Sequence, residues 1–190
     1  MSNKLPVIVL LACTLWAPTS YVVADENKED VWGWLLTLER NKEVKPVSNA
    51  KYLSECGECH FAYQPGLLPT KSWEKLLNAQ ALKDHFGDNA EMDAEVLKTI
   101  REYALANAAD KSYYKRSRKI AAGTEAGESP LRITELNYIK RKHKEMPEKM
   151  VKGNKEVKSL SYCNKCHTQA DAGVYDEDTV KIPGYPDWED

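Results

Sequence analysis

Two short runs constrain this chain more than anything else in it: Cys56-Gly57-Glu58-Cys59-His60 and Cys163-Asn164-Lys165-Cys166-His167. Each is a C-x-x-C-H motif, the attachment signature of c-type haem. The spacing has a chemical reason. Two thiols three positions apart can add to the two vinyl groups of one haem, and the imidazole of the next residue is then placed under the iron as an axial ligand.

Other uses of C-x-x-C fit less well. A four-thiolate zinc site gives no reason for a histidine after both pairs, and the pairs stand about a hundred residues apart. A redox dithiol is expected once, near a βαβ pattern that is not visible here. A disulfide closing each pair on itself would staple almost nothing.

The N-terminus supplies an independent argument. Lys4 precedes an apolar run from Leu5 to Ala17, and Val22-Val23-Ala24 puts small residues before the abrupt acidic stretch that opens at Asp25. That is the layout of a secretory signal peptide over 1–24, cleaved after Ala24, and it implies export to the periplasm. The run is short for a membrane span, so a soluble mature protein without stable membrane insertion is expected. Cleavage removes Cys13, which leaves four cysteines, all inside the two motifs.

The histidines complete the count. There are four, His60, His85, His143 and His167, and two low-spin haems need four axial ligands. His60 and His167 are the proximal ligands by motif, so His85 and His143 are the candidate distal pair. The segment from Ser72 to Asp84 reads as an amphipathic helix with Ser72 as N-cap, ending on His85-Phe86 with Gly87 as the stop. His143 follows Leu136 and Ile139 at i, i+3 and i+7, on their apolar face, although lysines and an arginine surround it. Methionine is the other distal ligand to weigh, and Met92, Met146 and Met150 are present, Met146 being the nearest rival to His143.

Along the chain, Trp32, Trp34, Leu35 and Leu36 suggest a packed element, and Ser48 or Asn49 can cap a short helix through Tyr52 and Leu53. Pro65-Gly66 turns the chain. A helix over 91–108 places Val96, Leu97, Ile100, Tyr103 and Ala104 on one side, suited to packing on the first haem and its distal helix. The boundaries that follow are a first haem-binding half at 25–110, a basic connector at 111–128 and a second half at 129–190 whose tail, through Ile182-Pro183-Gly184-Tyr185, reads as extended loop. The halves are not a tandem repeat: His60 precedes His85, but His143 precedes His167. The separations, 25 and 24 residues, nevertheless suggest one haem per half, with crossed pairing of distal ligands still open.

The run His60-Phe61-Ala62-Tyr63-Gln64-Pro65-Gly66-Leu67-Leu68-Pro69, then Ser72-Trp73 and His85-Phe86-Gly87, resembles the bacterial dihaem cytochrome c family known as DHC. Arg132-Ile133-Thr134-Glu135-Leu136 leading to His143, and the closing Ile182-Pro183-Gly184-Tyr185, are similar to its second half. The resemblance implies a small, mainly α periplasmic protein with little or no β-sheet. It implies two covalently bound bis-histidine haems that carry electrons between a membrane b-type cytochrome and a soluble haem protein. Cys56, Cys59, His60, His85, His143, Cys163, Cys166 and His167 all match the family pattern.

The expected activity is outer-sphere electron transfer rather than catalysis, because an iron with both axial positions filled offers no ready site for a substrate. A dihaem peroxidase or reductase, or a cytochrome subunit of a larger reductase, is the alternative. Charge is polarised. Residues 25–110 carry ten Lys+Arg against sixteen Asp+Glu, a net of −6, whereas residues 111–158 carry fourteen against six, a net of +8. Lys111, Lys115, Arg116, Arg118 and Lys119 around Tyr113-Tyr114 are thus candidates for haem propionates or an acidic redox partner, or else a solvated loop. Nucleic acid is not an expected partner for an exported, slightly acidic chain.

Overall fold

The computed structural model describes residues 42–188. The signal-like segment and the tryptophan-rich run at 31–38 lie outside the described residues. Among those described, the secondary structure is short helices joined by 3-10 turns, and isolated β-bridges stand in place of a sheet. The mainly α expectation holds. No helix among them is long and apolar enough to cross a membrane.

The first helix, α1 (Ala50–Gly57), starts where Asn49 accepts a hydrogen bond from the Tyr52 amide at 2.9 Å, the cap expected from sequence. Tyr52 is the anchor of α1: its ring is buried between Trp73 and Tyr103, and its hydroxyl donates to the Tyr63 carbonyl at 2.7 Å. After a 3-10 turn at Pro65–Leu67 come α2 (Thr70–Leu76) and α3 (Ala79–Leu82).

The single helix expected from Ser72 to Asp84 is therefore two. Leu77 leaves helical geometry, and Asn78 re-caps the chain by accepting from the Gln80 and Ala81 amides. Ser72 is not a cap either; it is fully buried inside α2. The amide and hydroxyl of Thr70, at the first turn, donate instead to the Asp110 carboxylate at 2.7 and 2.9 Å. A cap forty residues away in sequence serves the same purpose as a local one, because the orphan N–H groups at a helix start need an acceptor whatever its origin.

Helix α4 (Ala94–Ala106) is shorter than the 91–108 expected, but buries Ile100 and Ala104 from the expected face. It packs across α1 and α2. The basic stretch after it is not a loop. Residues Lys115–Ala122 form α5, whose Arg116, Ser117 and Ile120 are buried while Lys115, Arg118 and Lys119 face solvent. Buried positions at i, i+1 and i+4 make one helical face, and this narrow stripe is masked in sequence by the charges around it.

The His143 helix is also short: a 3-10 turn at Ile133–Glu135, then α6 (Asn137–Lys142), then His143 as the C-cap residue. Helix α7 (Glu148–Val151) follows. The tail differs from the extended loop expected, because Ile182 and Tyr185 bridge across a turn with Gly184 at φ 75°, and Ile182 is buried.

One core serves both halves. Tyr52, Leu67, Leu68, Trp73 and Ile100 pack with Ile120, Leu136, Tyr138 and Tyr175. A smaller cluster of Met150, Val151, Val157, Cys166 and Ile182 lies around the second motif.

Candidate functional site

Two sites emerge, each built from one C-x-x-C-H motif. In the first, α1 carries Cys56 in its last turn and ends just after it, so Cys59 and His60 follow on the emerging chain. The His60 Nδ1 lies 2.7 Å from the Phe61 carbonyl. A carbonyl can only accept, so Nδ1 holds the proton and Nε2 keeps a free lone pair, the arrangement that suits a metal ligand. Tyr63 packs on the His60 ring at 5.0 Å between centroids.

His85 comes to the same place from the far end of α3. Its amide donates to the Asp88 carbonyl at 2.7 Å, and the turn between them puts Phe86 at φ 61° and Gly87 at φ 106°. Positive φ at both central positions marks a tight hairpin turn, easy for glycine and strained for phenylalanine. The strain is held by contacts: Phe86 packs edge-on to His85 at 4.8 Å, and the Arg132 guanidinium lies 4.0 Å over the Phe86 ring.

The second site is assembled in a different order. A 3-10 turn at Cys163–Lys165 carries the motif, and the His167 amide donates to the Cys163 carbonyl at 2.8 Å. A bridge to Val180 fixes the backbone of His167. His143 enters from the C-terminal end of α6, where its Nδ1 donates to the Ile139 carbonyl at 2.9 Å, again leaving Nε2 free. The two meet in a cavity of about 590 Å³ lined by Cys163, Cys166, His143, His167, Met146 and Tyr175. Met146 thus shares the second site, whereas Met150 is buried in the cluster beside it.

The structure brings the histidines together within halves. His60 and His85 face each other with ring centroids 6.4 Å apart and planes 20° from parallel; His143 and His167 are 6.1 Å apart with planes at 79°. Imidazole nitrogens bind a first-row metal at about 2 Å, so two imidazoles facing one iron from opposite sides have ring centres roughly 6 Å apart. Both pairs have that spacing.

The electrostatics agree with it. Burial, then the neighbouring His60 and Arg132, pulls the His85 pKa below its usual value. Burial, then His143 and Arg116, takes that of His167 down to about 4. Both imidazoles are held neutral, the only form with a lone pair to give. The four cysteines among the described residues are free thiols, and burial pushes Cys56 up to about 12 and Cys163 up to about 11. Among the described residues no three His, Cys, Asp or Glu side chains cluster as a metal site, so the two Cys pairs do not merge into a zinc centre. The residues present fit two haems: each site offers two thiols for attachment beside a facing pair of imidazoles.

Three residues close to this machinery lie outside the two Cys-x-x-Cys-His motifs. Tyr63 and Tyr175 pack on the two proximal histidines, at 5.0 and 5.2 Å. Arg116, a candidate for haem propionates or an external partner in sequence, is buried, and its guanidinium binds Glu43 at 2.6 Å, the Tyr175 carbonyl at 3.0 Å and the Tyr138 hydroxyl at 3.1 Å. Glu43 also accepts from the Tyr175 amide at 3.2 Å. No local signal points to that pair, because its members are 73 positions apart.

Comparison with known proteins agrees. A family model described as dihaem cytochrome c matches residues 52–175. No curated protein matches the chain. Among solved structures, a dihaem cytochrome c from Shewanella baltica is 40% identical, with a TM-score of 0.60 over 74% of this chain and 98% of that one. A dihaem cytochrome c from Rhodobacter sphaeroides is 37% identical, with a TM-score of 0.61 over 70% of this chain and all of that one. This chain therefore belongs to the dihaem cytochrome c family, an electron-transfer family with two c-type haems, and its two Cys-x-x-Cys-His motifs fit their attachment.

Proposed function

We propose that the protein is an exported electron carrier whose two haems are both bis-histidine, His60 with His85 and His143 with His167. The facing of each imidazole pair at the span of one iron carries this reading. The haem supplies a reversible one-electron change at its iron. The chain's part is to hold that iron still: Cys56 and Cys59, and Cys163 and Cys166, tether the two rings. The carbonyls of Phe61 and Ile139 hold one imidazole of each pair in the right tautomer. With two imidazoles committed to each iron, neither site keeps an open coordination position for a substrate, which favours carrier over enzyme.

The remaining parts of the reading rest on the signal-like N-terminus and on the family resemblance: a periplasmic location, a membrane b-type cytochrome as donor and a soluble haem protein as acceptor. The solvent-facing Lys115, Arg118 and Lys119 of α5 suit an acidic partner surface.

Absorption and EPR spectra of the protein matured with both haems, beside His85→Ala and His143→Ala, test the assignment. Two low-spin haems in the wild type, and one freed iron in each variant, are expected. A sulfur-to-iron charge-transfer band would transfer the second distal role from His143 to Met146. A high-spin haem in the wild type would make the protein a ligand-binding enzyme.

A further inference from the structure

The two sites are joined through adjacent residues. Tyr63 belongs to the first half, and its ring packs on His60 at 5.0 Å with the planes 34° apart. Its hydroxyl leaves that half altogether and donates to the carbonyl of Ser161, two residues before Cys163. The Tyr63 backbone is fixed in turn, since its carbonyl accepts the buried Tyr52 hydroxyl at 2.7 Å. The next residue, Gln64, is fully buried; its amide donates to the Ala170 carbonyl, and its oxygen accepts the Tyr175 hydroxyl at 2.6 Å. Tyr175 packs on His167. Cys56 and Cys163 lie against the same apolar cluster.

We propose that Tyr63 couples the two haems within one molecule: its ring fills the space beside the first proximal histidine while its hydroxyl ties down the segment entering the second motif. It is a positioning residue. One electron leaves the ferrous iron of one haem and reduces the ferric iron of the other, and Tyr63 keeps its proton and its own electrons throughout. What it supplies is a fixed spacing and a packed medium between the sites, and a transfer that depends on held geometry is sensitive to small displacements. The Gln64–Tyr175 contact is a second crossing that supports the junction without touching His60.

The inference rests on the bis-histidine carrier reading, so the wild type is checked first. Two low-spin haems must be present; their absence defeats that reading and this one with it. Given two, electron equilibration between the haems is timed after rapid one-electron photoreduction of the fully matured protein, and the spin–spin broadening of the oxidised EPR spectrum is recorded. Tyr63→Phe keeps the ring and removes the tie to Ser161, and is expected to slow equilibration severalfold. Tyr63→Leu removes both and is expected to slow it roughly tenfold or more, with weaker broadening and both low-spin signals retained. Tyr175→Phe, which loosens the junction elsewhere, should slow it least. Equilibration within twofold of wild type in both Tyr63 variants overturns the proposal. So does slowing in Tyr175→Phe equal to that in Tyr63→Leu, or loss of the His60 low-spin signal in Tyr63→Leu, since Tyr63 would then be a general clamp or a prop for His60. Should Tyr63→Leu not mature, Tyr63→Phe decides alone.

Discussion

The two sites hold the same chemistry by different means. The first is closed mainly by neighbours in sequence: its distal arm is the turn from His85 to Asp88, supported by the Asp84 carboxylate, which accepts the Gly87 amide at 3.0 Å, and by the exposed Phe86, over which Arg132 reaches from the other half. The second is closed by long-range ties. The Glu43 and Val44 amides donate to the Gly173 carbonyl at 2.8 and 3.0 Å, and the Glu43–Arg116 pair binds Tyr138 and Tyr175. Cys59 is exposed whereas Cys166 is buried. A site closed by neighbours in sequence can open alone, while one closed across the chain opens only as the fold does.

The largest effect expected from breaking the second arrangement is at Gly173. This residue has φ 75°, and a Cβ there would stand 2.0 Å from the Val44 carbonyl oxygen. Gly173→Ala should destabilise the protein by more than about 4 kcal/mol, through strain and a backbone clash together. Thermal unfolding followed by the haem spectrum reads this directly, and a wild-type melting temperature would show that the tie to Val44 is not rigid.

Next comes Glu43. Its carboxylate and the Arg116 guanidinium are 10–12% exposed, so Glu43→Ala leaves a buried cation without its partner, at about 3 to 5 kcal/mol. Glu43→Leu with Arg116→Met should recover much of that, because replacing a buried pair by apolar groups is often neutral. Denaturant unfolding of the single and double variants measures both. The second haem's spectrum should be disturbed before the first's, since Tyr175 hangs on this pair and packs on His167.

A smaller effect is expected at the remote cap of α2. Asp110 is partly desolvated, which alone would raise its pKa, but the amide and hydroxyl of Thr70 outweigh that and lower it. A carboxylate whose folded value lies below its unfolded one contributes stability that is complete above the unfolded value, 3.8. That stability is lost as pH falls through the folded value. Asp110→Ala should therefore lose about 1 kcal/mol at neutral pH, the usual worth of a cap. The difference from wild type should shrink below pH 3.8. A gap that stays constant into acid would mean that Asp110 acts by packing rather than charge.

What could be read from sequence divides along the same line as the two sites. The two motifs, a cap at Ser48 or Asn49 and the inward aim of His143 are local, set by residues within two turns of one another; the structure caps α1 with Asn49 and brings His143 to the cavity at His167. Ser72 looked like a cap because a serine before an apolar run satisfies the local rule; the acceptor came instead from Asp110, which no local pattern can indicate. The 111–128 stretch read as a connector because its charges outnumber its apolar residues. It becomes α5 because Arg116 finds Glu43, a partner visible only once the chain is folded. Gly87 reads in sequence simply as a stop, yet with Phe86 it forms a strained turn whose value lies in its contacts with His85 and Arg132.

That turn gives the subtlest way to separate the sites. Asparagine tolerates positive φ, so Phe86→Asn should relieve the backbone while removing the ring between His85 and Arg132, changing global stability by less than about 1 kcal/mol. The consequence should appear in acid. On its local hairpin, His85 should release the ferric iron at a higher pH than the histidines of the second site, whose surroundings are tied across the chain. Acid titration followed by magnetic circular dichroism should thus show two steps in the wild type. Phe86→Asn should move the first step to higher pH and leave the second where it was. A single step in the wild type, or equal movement of both in the variant, would mean that the two sites open together and that closure by sequence neighbours confers no independence.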